Sequence, residues 1–521
     1  MSKKKNLTLL SVLIIFSTYC ALTIGQSFDE EFEILRGKIT LNYLLSFGDI
    51  NEKIKYRENY STIYWSFVYF FTEIFPSEYQ IKVSHLINLL FSFSTIFAIG
   101  KFSKELFNAK VGKLVFLILF FYPIFFGHMA FNNKDMILAF SHVWIAYLLL
   151  KYLKNQHDKN KINKYIFFIG ILTSIATGIQ LVFLGSLIPI ILFLFIEVFF
   201  LKKIIVKNFS KKKFLIDLIK CFIIFYVLLI LFWIDVHENI FIYPFTIFHE
   251  MLSTDFKTGW PWSLVNGEYY LSKEVPVSYF LINFIYKSPE YFLILYIIFL
   301  GLFFNIQKFY KKRFEFFIYK LSIIIFILVF PNLILFIIPF PVYDGMRLFL
   351  WTLPYFCIIP GLTFYYLIEN FKILKVRVTI GLLSLFIIYY IFTFFSITPY
   401  QYTYLNFLNG ENEYRYKKFE NDYWGTSMSE LIKNAKFESQ GVIKISTCGV
   451  NDTIIEKYLN KKKNLNYKFV SSDLADYVIM TNRVMFYEGK ENCFEKFKGD
   501  DINIVKRNGL ILSTIRKVKS Q

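Results

Sequence analysis

The chain has 521 residues, is 55% hydrophobic and 21% aromatic with 65 Phe, and has a mean hydropathy of +0.45. Only 19% of its residues are charged, and apolar runs long enough to cross a hydrocarbon core of about 30 Å recur along it, which excludes a soluble globular protein. The net charge of +19 does not indicate a nucleic-acid partner, because the lysines fall in short clusters between apolar spans, where basic residues set membrane orientation.

Apolar windows predict helices at 7–25, 83–100, 114–127, 135–150, 165–180, 182–201, 214–234, 278–304, 316–338, 346–368 and 376–397, about eleven spans of an all-α polytopic membrane protein. The run 165–201 is too long for one span, and Gly178, Gly185 and Pro189 mark its break. Residues 1–25 have the basic start of a cleaved leader, but Tyr19 is large where a cleavage site wants a small residue, so they read as a retained helix.

Alternate connections are basic: Lys3 to Lys5, Lys101 to Lys113, Lys151 to Lys164, Lys202 to Lys213, Lys308 to Lys320 and Lys372 to Arg377 hold 26 Lys or Arg between them. The positive-inside rule places all six, with the N-terminus, in the cytoplasm of a multi-pass protein of the plasma (inner) membrane. Loops 26–82 and 235–277 and everything after 397 then lie outside.

Chemistry-bearing residues gather on that outer side. Asp29-Glu30-Glu31 follows the first span and opens a stretch to Tyr60 with the pattern of amphipathic interfacial helices; the carboxylates either face a lipid-borne substrate or cap a helix N-terminus. The segment from Gly127-His128 to Asn132-Asn133-Lys134-Asp135 opens the fourth span, and charge at a span costs enough to suggest a pocket. Tyr343-Asp344-Gly345-Met346-Arg347 follows Pro339 and Pro341; Arg347, a cation on the outer side, needs a partner there, either a phosphate or carboxylate of a ligand or Asp344. Loop 235–277 holds Asp235, His237, Glu238, His249, Glu250 and Asp255 in no recognisable metal spacing, and Trp260-Pro261-Trp262 suggests interfacial aromatics. No cofactor is therefore assigned, with a divalent metal as the open alternative.

Beyond 397 the apolar runs shorten to strand length at 442–446, 467–470, 477–481, 502–505 and 510–515, with a helix at 452–459 and a hairpin turn at Asn508-Gly509. Residues 1–397 thus form a transmembrane domain and 398–521 a small extracytoplasmic α/β domain. Cys20, Cys221 and Cys357 sit in apolar spans; Cys448 and Cys493 fall in the tail and can pair if it lies outside the cytosol.

Taken together, Phe28-Asp29-Glu30, Gly127-His128 through Lys134-Asp135, Asp344-Gly345-Met346-Arg347-Leu348-Phe349, Pro399-Tyr400-Gln401-Tyr402 and Asp422-Tyr423-Trp424-Gly425 resemble the motifs of GT-C glycosyltransferases, of the family-39-like branch that includes protein O-mannosyltransferases and the aminoarabinose transferases of lipid A. The resemblance covers most of the chain; Leu348 departs from it, standing where that branch often has His. It implies a hexosyl or pentosyl transferase with a polyprenyl-phosphate sugar as donor, a lipid, glycan or protein as acceptor, membrane lipids around it, and inversion at the sugar. It implies Asp29 as general base with Glu30 orienting it or shaping the pocket, Asp135 on the acceptor or on Lys134, Lys134 and Arg347 on the lipid phosphate, and His128, Tyr343 and Asp344 in the substrate site. The rival is a polytopic lipid or saccharide transporter or flippase, which would place its ionisable residues at the midplane and show internal repeats; here they sit at the outer rim.

Overall fold

The computed structural model describes residues 3–48, 60–252, 259–337, 340–438, 441–462, 465–484 and 491–518. It is a mostly helical, multi-pass body with a small sheet at its C-terminal end. The first eight helices are α1 (Lys3–Thr23), α2 (Glu30–Leu45), α3 (Ile63–Thr72), α4 (Ser77–Leu106), α5 (Ala109–Phe120), α6 (Pro123–His128), α7 (Asp135–Asn155) and α8 (Lys159–Ile179). Among the described residues six helices are long and apolar enough to cross a membrane, or seven if one bent pair counts as a span. The other expected spans are built of shorter apolar helices such as Leu7–Thr23 and Leu353–Glu369, so the expected eleven is not reached at full length.

The bent pair corrects the prediction of a single helix at 278–304. Tyr279–Lys287 and Glu290–Gly301 meet at 115°, because Ser288 is extended and Pro289 opens the second helix without an N–H to continue the first. The break expected inside 165–201 falls between Ile179 and Phe183, after which the chain runs through Phe183–Ser186, Ile188–Ile196 and a π turn at Glu197–Leu201.

The basic connections gather at one end of the helices. Lys151 Nζ lies 3.2 Å from Glu105, Lys110 Nζ 2.7 Å from Glu369, Lys213 Nζ 2.7 Å from the Gln156 carbonyl, and Lys203 over the ring of Tyr319. Helix α7 runs from Asp135 to Lys151 and Lys154 at this end; at 1.5 Å per residue it separates the two sets of charges by roughly 25–30 Å.

At the other end lie two sheets. A hairpin of β1 (Trp262–Val265) and β2 (Glu268–Leu271), which sequence reasoning did not anticipate, joins the tail through a Val265–Phe419 bridge. The tail sheet has the order β4-β3-β5-β7-β6, from β3 (Ile443–Cys448), β4 (Tyr467–Phe469), β5 (Tyr477–Thr481), β6 (Gly499–Arg507) and β7 (Leu510–Val518). Strands β4, β3 and β5 are parallel, linked on one side by the helix Asp452–Asn460, while β6 and β7 form an antiparallel hairpin turned by Asn508 and Gly509, both at positive φ. The five strands and the helix fall where the sequence predicts them, to within three residues at each end.

Cys448 and Cys493 form a disulfide, Cα to Cα 5.7 Å, closing a separation of 45 residues. For a loop of that length the bond stabilises the tail by about 4 kcal/mol. Cys493→Ser in the intact protein is expected to speed hydrogen–deuterium exchange sharply in β5 and β7 while α4 and α7 keep their protection; equal exchange in both would show that the bond carries no stability.

Candidate active site

The site starts from α2, whose faces are inverted relative to a soluble helix. Its buried residues are Glu30, Glu33, Gly37 and Thr40, at helical spacing, whereas Phe32 and Leu35 are exposed. Polar groups thus turn inward and apolar groups outward, the arrangement of a helix lying against lipid. Gly37 permits this seating: a Cβ there would run into the Trp65 carbonyl of α3. Thr40 and Thr62 lock the crossing through a 2.6 Å hydroxyl pair. The neighbouring α3 exposes Phe67 and Phe70, and Ile74 just beyond its end is exposed too. Residues 49–59 of the expected interfacial stretch lie outside the described residues.

The three consecutive carboxylates diverge, as steps of 100° on a helix require. Asp29 occupies the N-cap position but makes no side-chain capping bond; it accepts a 3.0 Å hydrogen bond from Lys134 Nζ and remains 31% exposed. Glu30 is buried, with Oε2 accepting from the Ser27 N–H at 2.6 Å and Oε1 2.8 Å from His85 Nε2 on α4. Glu31 leaves for the tail, where it pairs with Lys457 at 2.6 Å. The residue that joins Asp29 is Glu33, one turn on, whose Oε1 lies 3.1 Å from the same Lys134 Nζ. Burial pushes the Asp29 carboxyl up, but Lys134, Arg347 and Arg36 outweigh it and hold the group below the usual range. Glu33 goes the other way: burial, against the pull of Lys134 and with the push of Asp29, raises it to about 7.

Lys134 is placed by the turn between α6 and α7. Asn132 Oδ1 accepts from the Lys134 and Asp135 N–H groups at 3.3 and 3.0 Å, and Asn132 Nδ2 donates to Asp135 Oδ2 at 3.0 Å. Asn132 also sits 3.2 Å from His128 Nδ1, which leaves Nε2 to donate to the Tyr423 hydroxyl at 2.9 Å. Gly127 lets this turn meet the tail, because any Cβ would strike the Tyr402 backbone. The Tyr402 hydroxyl donates to Asp422, which also accepts from the Thr426 and Ser427 N–H groups at 2.9 Å. From the other side α4 anchors the turn: Asn88 Nδ2 donates to the Met129 and Asn132 carbonyls and Ser92 to Met129.

Beside Lys134 runs a line of buried charges of alternating sign. Asp135 meets Arg347 Nε at 2.9 Å; Arg347 Nη1 meets Asp344 Oδ2 at 2.6 Å; Asp344 Oδ1 meets Arg483 Nη2 at 2.7 Å. Arg483 Nε lies 3.8 Å from Glu420, whose carboxyl burial pushes up to about 7 against the pull of Arg483. The guanidiniums are covered by aromatic rings, Arg347 by Trp424 at 4.4 Å and Tyr343 at 5.4 Å, Arg483 by Trp260 at 3.9 Å. Burial raises the Tyr343 phenol. Arg347 thus has two protein carboxylates as partners, whereas Lys134, 18% exposed beside a 31% exposed Asp29, is the cation more open to a ligand.

No protein-family model and no curated protein matches the sequence. Solved structures do. The crystal structure of ArnT from Cupriavidus metallidurans in the apo state is 12% identical, with 99% of this chain and 98% of that chain covered and a TM-score of 0.51. The same protein bound to undecaprenyl phosphate is 10% identical over 99% and 98%, with a TM-score of 0.50. The apo oligosaccharyltransferase of Archaeoglobus fulgidus is 10% identical over 91% and 69%, with a TM-score of 0.49. The chain shares the fold of the ArnT structures.

Within that fold the structure brings together Asp29 with Lys134, and Asp135 with Asp344 and Arg347, and places His128 and Tyr343 against these groups. Glu30 turns to His85 instead of Asp29, and Asp135 pairs with Arg347, not Lys134. Sequence reasoning missed Glu33, His85, Asn88 and Arg483. The first three carried a signal: Glu33 is four residues from Asp29, and His85, Asn88 and Ser92 recur at helical spacing inside an apolar span. Arg483 carried none. In loop 235–277 both ring nitrogens of His237 are engaged, by the Tyr43 hydroxyl and the Ile230 carbonyl; Asp255 lies outside the described residues. Among the described residues no three His, Cys, Asp or Glu side chains form a metal-holding group.

Proposed function

We propose that this protein is a membrane glycosyltransferase that moves a sugar from a polyprenyl-phosphate donor to an acceptor hydroxyl on the outer side of the plasma (inner) membrane, with residues 1–397 as the transferase domain and 398–521 as an extracytoplasmic domain docked over the site. The observation that carries the reading is the Asp29–Lys134 pair at the edge of a lipid-facing helix: a carboxylate held ionised beside an ammonium that keeps some exposure, at the end of the molecule opposite the basic connections. The disulfide in the tail supports the sidedness, since such bonds persist in oxidising compartments. The undecaprenyl phosphate in one of the similar ArnT structures supports the donor class.

In this reading the Asp29 carboxylate takes the proton of the acceptor hydroxyl as its oxygen attacks the anomeric carbon. The bond from that carbon to the phosphate oxygen breaks, and the lipid phosphate leaves with the electron pair, so that a single displacement inverts the sugar. The leaving phosphate needs positive charge and no proton, which Lys134 supplies directly and Arg347 at longer range. Asp135 and Asp344 orient Arg347; His128 with Tyr423 fixes the turn that carries Lys134; Glu30 with His85 fixes the start of α2.

The test is reconstitution: purified protein in lipid, given polyprenyl-phosphate sugars and envelope glycolipids, should yield glycosylated acceptor by mass spectrometry, and the absence of transfer from every such donor would end the reading. Lys134→Ala should weaken binding of a lipid phosphodiester about tenfold to hundredfold, from the loss of one charge-assisted contact. Unchanged affinity, measured by calorimetry, would remove Lys134 from the donor site.

A further inference from the structure

Glu33 does something the displacement itself does not require. It and Asp29 lie at i and i+4 on α2 and converge on one ammonium, at 3.1 and 3.0 Å from Lys134 Nζ. Their surroundings differ. Asp29 is partly solvated and accepts a hydrogen bond from Lys134; the Glu33 side chain is 1% exposed, and among the described residues its oxygens have no polar partner besides the shared Lys134 ammonium. An ionised carboxylate in such a place has lost its hydration and gained only one shared cation in return.

Its neighbours sharpen the imbalance. Asp29 and Glu30 face it from its own helix, and the Tyr64 hydroxyl from α3, itself donating to Asn88. On α4 stands His85, committed to Glu30 and to the Ala21 carbonyl. Lys134 faces it from the turn before α7, while Arg36 lies over the rings of Tyr60 and Trp65 and acts on Asp29, as Arg347 does from beyond. A bound phosphodiester would make Glu33 one of three anions competing for Lys134.

On the reading that this site takes a lipid phosphodiester, we propose that Glu33 is a positioning residue that takes up a proton from solvent when the donor binds, which frees Lys134 from one of its two carboxylates and turns it to the phosphate. With Glu33 neutral, Asp29 and Lys134 cancel and the donor's single negative charge is accepted; with Glu33 ionised the three groups carry a net negative charge and repel it. Because burial raises its carboxyl to about 7, the exchange falls in the physiological range. A further anion at Lys134 raises it more, so proton and donor bind cooperatively. Asp29, held low by its cations, stays ionised as base throughout.

The probe is a polyprenyl phosphodiester without a transferable sugar, whose phosphate does not titrate near neutrality, bound to the full chain in lipid nanodiscs and followed by calorimetry. Wild-type affinity should fall about tenfold per pH unit above about pH 7, the slope of one linked proton, with proton uptake visible as a dependence of the heat on the ionisation enthalpy of the buffer. In Glu33→Gln the affinity should stay level across that range and the uptake should vanish; in Glu33→Asp the slope should return with a shifted midpoint. A wild-type slope retained in Glu33→Gln, or no uptake in the wild type, overturns the proposal. If the Gln variant does not fold, an unmoved midpoint in Glu33→Asp overturns it equally. No binding by the wild type at any pH would remove the lipid-phosphate reading itself, and this proposal with it, whereas a pH slope independent of Glu33 leaves that reading standing.

Discussion

Asp29→Asn is expected to cut sugar transfer by about 10³-fold, the usual worth of a general base, while the protein still binds a lipid phosphodiester. The two effects separate because of what the side chain touches. Asn has the same size and keeps an oxygen that accepts the 3.0 Å hydrogen bond from Lys134; Glu33 still faces the ammonium; and Asp29 makes no capping bond whose loss would loosen α2. What goes is the ability to hold a proton. Since Lys134, Arg347 and Arg36 prevail over burial to keep Asp29 ionised, the loss should be uniform across neutral pH, in contrast to the Glu33 variants, whose effect appears as pH rises through about 7. Single-turnover assays with purified protein and separate binding measurements check both halves. Transfer at the wild-type rate in Asp29→Asn would take Asp29 out of the mechanism.

Much of this arrangement is legible in the residue order. Apolar windows locate the helices, Asn508-Gly509 locates the last hairpin, and the basic connections define one end of the molecule, because each is a local consequence of solvation or backbone sterics. The motifs also come together in space: Gly127-His128, Lys134-Asp135, Asp344 to Arg347 and Tyr402 with Asp422-Tyr423 all meet, although 295 residues separate the His128–Tyr423 pair. What is not legible is pairing. Nothing in Asp29-Glu30-Glu31 says which carboxylate meets Lys134, since that depends on how α2 is rotated, and the rotation is set by Gly37 against Trp65 and Thr40 against Thr62, contacts with a different helix. Nor does the sequence say that Arg347 needs no ligand to be neutralised. Its two carboxylate partners arrive from α7 and from its own loop, and the second of them is shared with Arg483 of the tail. The bend at Ser288-Pro289 was visible in principle, because the residue before a proline avoids helical geometry, but continuous apolarity on both sides hid it.

The tail and the helical body are joined by more than contact area, and Asp344→Ala tests how. Asp344 is 3% exposed and accepts from Arg347 through one oxygen and from Arg483 through the other, so it is the only described carboxylate shared by a guanidinium of the helical body and one of the tail. Removing it leaves two buried guanidiniums facing each other, with Asp135 and Glu420 on their far sides; breaking a buried pair in this way costs about 3–5 kcal/mol. A second cost comes from the backbone: Asp344 sits at φ +58, where Asp and Asn are tolerated and Ala is strained. Asp344→Asn retains the conformation and one acceptor, and should lose clearly less than Asp344→Ala. Thermal unfolding in detergent should therefore rank wild type above Asn above Ala. If the ion pairs are the joint, the Ala variant should also expose β5 and β7 to protease before the helical body melts. Equal stability of the Asn and Ala variants would refute the backbone contribution. Wild-type stability in both would mean that the alternating charges from Asp135 to Arg483 do not hold the tail over the site, and that the hairpin of β1 and β2, bridged to Phe419, carries that load instead.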